Sequence, residues 1–113
     1  MNSYPAMAID VETRRPALAN RIGGLSGPAI RPIAVKLVHD AYRATGCPIV
    51  GIGGILDWRD AVEMMLAGAR AVAVGTANFA NPRAAADIVD GIRRFARAEG
   101  LADISELVGR VVD

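Results

Sequence analysis

The chain has 113 residues, of which 52% are hydrophobic and 4% aromatic, and its formal net charge is +1. This length allows one domain or part of one, and the near-neutral charge favours neither nucleic acid nor an anionic membrane as a partner. The single cysteine, Cys47, excludes an internal disulfide and a cysteine-based metal cluster within these residues. No apolar run approaches the roughly 20 residues of a membrane span, and no secretory signal is visible. These features predict a cytoplasmic α/β protein.

The first 28 residues are predicted to be largely irregular. Residues 1–20 have no clear periodicity, so we expect the end of a strand at or before Met1 and then an excursion that includes a small hairpin. Three glycines and a proline occur within Gly23–Pro28, which predicts a tight loop whose backbone can approach a ligand closely. A plain turn into the next helix would explain the same composition.

A helix is predicted next, with Pro32 in its first turn and Gly46 at its end. The residues expected on its apolar face are Ile30, Ala34, Leu37, Val38 and Ala41, and those expected on its polar face are Arg31, Lys36, His39, Asp40 and Arg43. His39 is therefore expected to be solvated rather than catalytic. Cys47 precedes the following strand without a basic neighbour in sequence, so we expect an unreactive thiol.

Two apolar runs are predicted to be buried parallel strands, and each ends in glycine. Ile49–Ile55 contains Gly53-Gly54, and Ala71–Val74 is followed by Gly75-Thr76. Alternation with helices implies that the two strands are parallel and that their carboxyl ends meet at one edge. Backbone amides at such an edge bind anions, and (β/α)8 barrels frequently build a phosphate site from the loops after strands seven and eight. The sequence therefore predicts a phosphate site there.

Polar residues mark the predicted helix ends. Asp57 is expected to cap the second helix, with Asp60 adding charge, and Asn81-Pro82 is expected to begin the third. Asp103–Glu106 resembles a capping box at the start of a short final helix. Three arginines of the third helix are expected to form a solvated face rather than the anion site; they are Arg93, Arg94 and Arg97.

Several segments together carry a resemblance to a known family. The most specific is Gly23–Ile30, with the sequence Gly-Gly-Leu-Ser-Gly-Pro-Ala-Ile. The others are Asn2-Ser3, Met7–Asp10, Thr13–Pro16, Leu18–Asn20, Gly51–Ile55 and Val74–Phe79. The chain resembles class 1 dihydroorotate dehydrogenase, most closely the catalytic subunit of the NAD-linked subclass. The likeness runs from end to end of the chain but covers only the C-terminal part of the family, from about the sixth barrel strand onward.

The resemblance implies a fold and an activity. Residues 1–113 would form the C-terminal portion of an FMN-binding (β/α)8 TIM barrel, with parallel strands and flanking helices. The whole enzyme would oxidise dihydroorotate to orotate in de novo pyrimidine biosynthesis. It would pass electrons to an iron–sulfur flavoprotein subunit.

The resemblance also implies site residues. Gly27 would contact the flavin group, and the amides of Gly53-Gly54 and Gly75-Thr76 would hold the FMN phosphate. Asn2 and Ser3 correspond to an Asn-Thr pair of the family whose side chains hydrogen-bond the orotate ring, and serine keeps the hydroxyl.

The family's cysteine base lies in N-terminal strands that have no counterpart here. Cys47 cannot replace it, because Cys47 lies at the opposite strand end and a general base must reach its proton. A closed barrel typically needs about 250 residues. We therefore expect no catalytic residue in this chain, no metal site, and no activity without the missing N-terminal half of the barrel.

An incomplete barrel would also leave apolar strand faces uncovered. The strand residues Val50, Ile52, Val72 and Val74 lie in runs without polar alternation, so we expect one sheet face under helices and the other in water. The isolated chain is then expected to self-associate or to be partly molten. A non-catalytic FMN or phosphate-binding module, a non-functional remnant, and a different barrel enzyme with the same phosphate motif are alternatives. The Gly-Gly-Leu-Ser-Gly-Pro sequence argues against the last.

Overall fold

The structure, a computed structural model, describes residues 1–112. The strands are β1 (Tyr4–Ala6), β2 (Ile9–Asp10), β3 (Arg15–Pro16), β4 (Gly23–Leu25), β5 (Ile49–Ile52) and β6 (Ala69–Ala73). The α-helices are α1 (Arg31–Thr45), α2 (Trp58–Ala67), α3 (Ala77–Ala80) and α4 (Ala84–Ala98), and single 3₁₀ turns cover Pro28–Ile30 and Ile104–Leu107. No helix among residues 1–112 has the length and apolar character needed to cross a lipid bilayer.

The first 25 residues form two small antiparallel pairs. β2 pairs with β3, which confirms the predicted hairpin, and β1 pairs with β4 around it. The Asp10 carboxylate closes the hairpin turn by accepting hydrogen bonds from the amides of Glu12 and Thr13, at 2.9 and 3.0 Å. The prediction of a loop over Gly23–Pro28 is wrong at Gly23–Leu25, because these residues are the strand that pairs with β1.

β5 and β6 form a parallel pair, as the alternation of strands and helices predicts. The second strand begins at Ala69, earlier than the predicted Ala71, because Gly68 ends α2 and the chain turns directly into the sheet. The α2 helix packs closely on β5. A Cβ atom built on Gly51 would lie 2.9 Å from the Cβ of Ala69 and 3.3 Å from the Cβ of Met64, so a side chain here would have to displace its neighbours on β6 and α2. The α/β class is confirmed, with one parallel strand pair in the described residues.

The helix ends follow local chemistry in most places. Gly46 has a left-handed backbone (φ 64°) after α1, and Asp57 caps α2 as predicted, where it also forms a capping box with Asp60. Asp103 forms the predicted capping box with Glu106. The predicted start of the third helix is wrong, because α4 begins at Ala84. Asn81 instead accepts a hydrogen bond from the amide of Arg83 (3.0 Å) in the turn between α3 and α4. The predicted final helix is a single 3₁₀ turn.

The hydrophobic core lies between the helices and one face of the β5–β6 pair. Its buried residues are Ala34, Val38, Ile55, Ala61, Met64, Ala67, Ala69 and Ile88. On α1 the buried stripe is narrower than predicted, because Leu37 is 43% exposed and Ala41 is also exposed. The opposite sheet face is uncovered, as predicted, and Val50 is 61% exposed there.

Candidate functional site

A narrow cleft lies at the carboxyl ends of β5 and β6. Its lining residues are Asn2, Gly27, Ile52, Gly53, Gly54, Ile55, Leu56, Ala73, Gly75 and Thr76. We call it the glycine cleft. The structure thus brings together all of the predicted site residues except Ser3.

Gly53 and Gly54 form the floor of the glycine cleft after β5. Both have positive φ angles, 122° and 75°, which residues other than glycine rarely adopt. A Cβ atom on Gly53 would lie 2.1 Å from the Met1 carbonyl oxygen, and one on Gly54 would lie 2.8 Å from the Gly27 carbonyl oxygen. The strand therefore ends in bare backbone because neighbouring segments approach too closely for any side chain.

Gly75 and Thr76 form a second wall after β6. The carbonyl oxygens of Gly75 and Thr76 accept hydrogen bonds from the amides of Asn78 and Phe79 as α3 begins, at 3.0 and 3.1 Å. The amides of Gly53-Gly54 and Gly75-Thr76 themselves do not take part in the hydrogen bonds found among residues 1–112 outside regular helices and strands. Backbone amides grouped in this way at the carboxyl ends of parallel strands suit an anion.

Gly27 closes the third side of the cleft. It is buried, has a φ angle of 87°, and accepts a hydrogen bond from the amide of Ile30 (3.2 Å). Just before it, Ser26 Oγ contacts Thr76 Oγ1 at 3.0 Å, which joins this loop to the loop after β6. The Gly-Leu-Ser-Gly sequence therefore places a hydroxyl link beside the glycine.

The two N-terminal residues predicted to bind substrate differ in position. Asn2 lines the glycine cleft, and its Oδ1 lies 3.7 Å from the position of a Cβ atom on Gly75. Ser3 lies on the other side of the backbone, where its Oγ is 2.8 Å from the Cβ position of Gly24. In this structure only the asparagine faces the cleft.

The N-terminus of α2 is not open to an anion. Asp57 accepts hydrogen bonds from the amides of Arg59 (2.7 Å) and Asp60 (3.2 Å), and Asp60 accepts one from the amide of Asp57 (3.2 Å). Carboxylates therefore already satisfy the helix end. An anion in the glycine cleft would therefore be bound by loop amides and not by this helix end.

Comparison with known proteins identifies the family. The family profile described as dihydroorotate dehydrogenase matches residues 1–95. The chain belongs to the dihydroorotate dehydrogenase family. Proteins named dihydroorotate dehydrogenase B (NAD(+)), catalytic subunit, from Desulforudis audaxviator and Trichlorobacter lovleyi are 55% and 53% identical to it over 109 residues. The protein of the same name from Desulforamulus reducens is 50% identical over 109 residues.

The match covers the chain almost completely but its relatives only in part. It includes 96% of this chain and 36% of each of these three relatives, so the chain spans about a third of their length. The resemblance read from the sequence is thereby confirmed at the level of the family and its NAD-linked subclass. Dihydroorotate dehydrogenases are oxidoreductases.

The other candidate residues of this chain lie away from the glycine cleft. Cys47 is exposed and precedes β5, six residues or about 20 Å of extended chain from Gly53. His39 lines a separate groove between α1 and α2. Arg93 is exposed and lies 3.3 Å from Asp90 on α4. None of these three side chains lines the cleft.

Sequence reasoning missed the charged residues beside the cleft. The helical periodicity predicts only that Arg31 lies on the polar face of α1. In the structure it forms ion pairs with the α2 residues Asp60 and Glu63. The signal for Asp60 was its position three residues after the Asp57 cap, where a carboxylate completes a capping box. Nothing local indicated that the same carboxylate also contacts Arg31, which is 29 residues away.

Proposed function

We propose that this chain supplies the FMN-phosphate and orotate contacts of an FMN-dependent dihydroorotate dehydrogenase, which oxidises dihydroorotate to orotate in de novo pyrimidine biosynthesis. One observation carries the proposal. The glycine loops after two parallel strands meet at one cleft, where their backbone amides lie close together. The names of the relatives support the same reaction.

The glycine cleft suits the phosphate end of FMN. A phosphate dianion needs several donors and a backbone that its oxygens can approach closely, and glycines leave the backbone amides without a side chain in the way. We assign the amides of Gly53-Gly54 and Gly75-Thr76 to the phosphate and Gly27 to the flavin group. FMN held there would supply the hydride acceptor for the oxidation of dihydroorotate.

Asn2 is the substrate contact that the geometry favours. Its amide side chain faces the cleft, where an oxygen acceptor and an NH₂ donor could orient the orotate ring. Ser3 is kept as a second contact by the family resemblance, although its hydroxyl lies toward β4. The residues that line the glycine cleft in the described chain contain no general base. We therefore assign proton removal to a part of the enzyme outside these residues.

The uncovered face of the β5–β6 pair supports a larger assembly. Val50 is 61% exposed, and burying apolar surface is worth roughly 25 cal/mol per Å². We propose that the remaining strands of a (β/α)8 barrel cover this face. An iron–sulfur flavoprotein subunit is the proposed electron-transfer partner, since relatives are named catalytic subunits that use NAD(+). The proposed location is the cytoplasm.

A chimeric enzyme tests the proposal. This chain would replace the matching segment of the Desulforudis audaxviator catalytic subunit, with which it shares 55% identity over 109 residues. We expect both the chimera and the 113-residue chain alone to bind FMN, but only the chimera to oxidise dihydroorotate. A folded chimera that lacks FMN would contradict the proposal, and so would turnover by the isolated chain.

A further inference from the structure

Three loops form the glycine cleft, and side-chain contacts join them in two places. One is the hydroxyl contact between Ser26 and Thr76 described above. The other is the ion pair between Arg31, at the start of α1, and Asp60 in the first turn of α2. Neither ionic group is among the residues that line the cleft.

The Asp60 carboxylate contacts both the loop after β5 and the start of α1. Its Oδ2 accepts hydrogen bonds from the amides of Leu56 (2.8 Å) and Asp57 (3.2 Å), in the segment that follows Gly54. Its Oδ1 accepts a hydrogen bond from Arg31 Nη1. The residue is 8% exposed, so one buried carboxylate connects α1 to the loop after β5.

The backbone of Arg31 packs directly against Gly54. A Cβ atom on Gly54 would lie 2.7 Å from the Cβ and 2.9 Å from the Cα of Arg31. Movement of Arg31 would therefore change the space available to the Gly54 amide. The same movement would carry the Gly27 loop, which leads into α1.

The charge of Arg31 has no other evident use. A cation in the first turn of a helix is disfavoured by the helix dipole, so the residue does not stabilise α1 through its charge. Asp60 and Glu63 both bind its guanidinium, with Arg31 Nε 3.1 Å from a Glu63 carboxylate oxygen. Two carboxylates more than neutralise one guanidinium, so little positive potential is left for an anion.

We propose that Arg31 and Asp60 are positioning residues that set the spacing between the Gly27 and Gly53-Gly54 loops and thereby the FMN affinity of the glycine cleft. This inference rests on the proposed function of the cleft. Arg31 acts through its forked geometry, with one nitrogen on each carboxylate. Lysine has a single point charge and cannot make both contacts in this way.

The test compares Arg31→Lys with Arg31→Ala in the full 113-residue chain. The readouts are the Kd for FMN, from flavin fluorescence at two salt concentrations, and the Tm of each variant. We expect both variants to raise the Kd about tenfold, equivalent to about 1.4 kcal/mol, and to a similar extent at both salt concentrations. The matched controls are Arg93→Lys and Arg93→Ala, which alter an exposed ion pair on α4 and should leave the Kd unchanged.

Two binding results would overturn the inference. If Arg31→Lys binds FMN like the parent chain while Arg31→Ala does not, Arg31 acts through its charge on the phosphate. If neither variant changes the Kd, the ion pair does not position the loops. A parent chain that fails to bind FMN would instead refute the proposed function of the cleft.

Hydrogen exchange tests the positioning role without a ligand. The amides of Leu56 and Asp57 both donate hydrogen bonds to Asp60. We expect Arg31→Ala to speed exchange at Leu56 and Asp57 at least severalfold, and Arg93→Ala to leave both unchanged. Unchanged exchange in the Arg31 variant would overturn the inference even if FMN binds.

Discussion

The glycine cleft and the N-terminal hairpins, residues 4–25, differ in how they are held. In the cleft, long-range contacts join glycine-rich loops, and Gly27, Gly53 and Ile55 are buried. In the hairpins, large apolar side chains are 44% to 85% exposed; they are Tyr4, Met7, Ile9, Val11, Leu18, Ile22 and Leu25. The side-chain hydrogen bonds of the hairpins are local, such as those of Asp10 with Glu12 and Thr13.

From composition alone, the glycine-rich loops would be expected to be the flexible region and the apolar hairpins the packed region. Glycine is the most flexible residue, and apolar side chains normally mark the core. Here the glycines allow segments to approach within contact distance, so the loops become fixed by their neighbours. The apolar hairpins lack a covering layer in this chain, and so their burial energy is not realised. Rigidity in this molecule follows packing rather than residue type.

The largest effect is expected from Gly53→Val. Its side chain would collide with the Met1 carbonyl oxygen and with the Cβ of Ala34, which lie 2.1 and 3.0 Å from the Cβ position. We expect loss of FMN binding and a decrease of about 4 kcal/mol or more in unfolding free energy. Gly46→Val is the control, since its φ is 64° but no atom lies within 4 Å of its Cβ position. Backbone strain of about 1–3 kcal/mol should be its whole cost. Equal losses in both variants, measured by urea unfolding, would show that the close approach is unimportant.

The next-largest effect is expected from truncating a core side chain, which should destabilise the protein far more than truncating a hairpin side chain. Met64 is 0% exposed, and Met64→Ala should cost about 2–5 kcal/mol because it leaves a cavity beneath β5. Val11 is 85% exposed, so Val11→Ala should change the unfolding free energy by less than about 0.5 kcal/mol. Thermal or urea unfolding of the pair measures both values. A costly Val11 variant would show that the hairpins are packed in solution.

The caps should have smaller effects. Asp57→Ala removes the side chain that accepts from the amides of Arg59 and Asp60, so α2 should lose about 1 kcal/mol. Asp57→Asn keeps an acceptor oxygen and should restore most of that stability. A deficit in the asparagine variant as large as in the alanine variant would assign the effect to charge instead of capping.

The smallest effect is expected at low pH, where the carboxyl group of Asp10 becomes protonated. Hydrogen bonds from the backbone amides of Thr13 and Glu12 lower the pKa of Asp10 below its ordinary value. A lowered pKa means that the stabilisation is present when the carboxylate is ionised and is lost as the pH falls below about 4. Amide chemical shifts of Glu12 and Thr13 should therefore change over this acid range. Shifts that stay constant from neutral pH to below about 3 would contradict the hydrogen bonds.

Local chemistry explains what could be predicted. Gly46, Asp57 and Asp103 end or begin helices through contacts within a few residues, so their roles were visible in the sequence. The meeting of Gly53-Gly54 with Gly75-Thr76 was also predictable, because the carboxyl ends of parallel strands share an edge.

What escaped prediction depends on distant or competing contacts. Asn81 has a side chain typical of a helix N-cap. However, it directly follows α3 and lies at the end of that helix, and α4 begins only at Ala84. Gly23–Leu25 has the composition of a loop, but it is a strand because it pairs with β1. The pairing of Arg31 with Asp60 joins residues 29 positions apart, and periodicity on α1 could only place the arginine on the polar side.

The most direct test of FMN binding at the glycine cleft is an NMR titration of the ¹⁵N-labelled chain with FMN. We expect saturable chemical-shift changes at the amides of Gly53, Gly54, Gly75 and Thr76, with little change on α4. Shifts concentrated at Arg93, Arg94 and Arg97 would contradict it, because the anion would then be bound by exposed basic side chains and not by the glycine cleft.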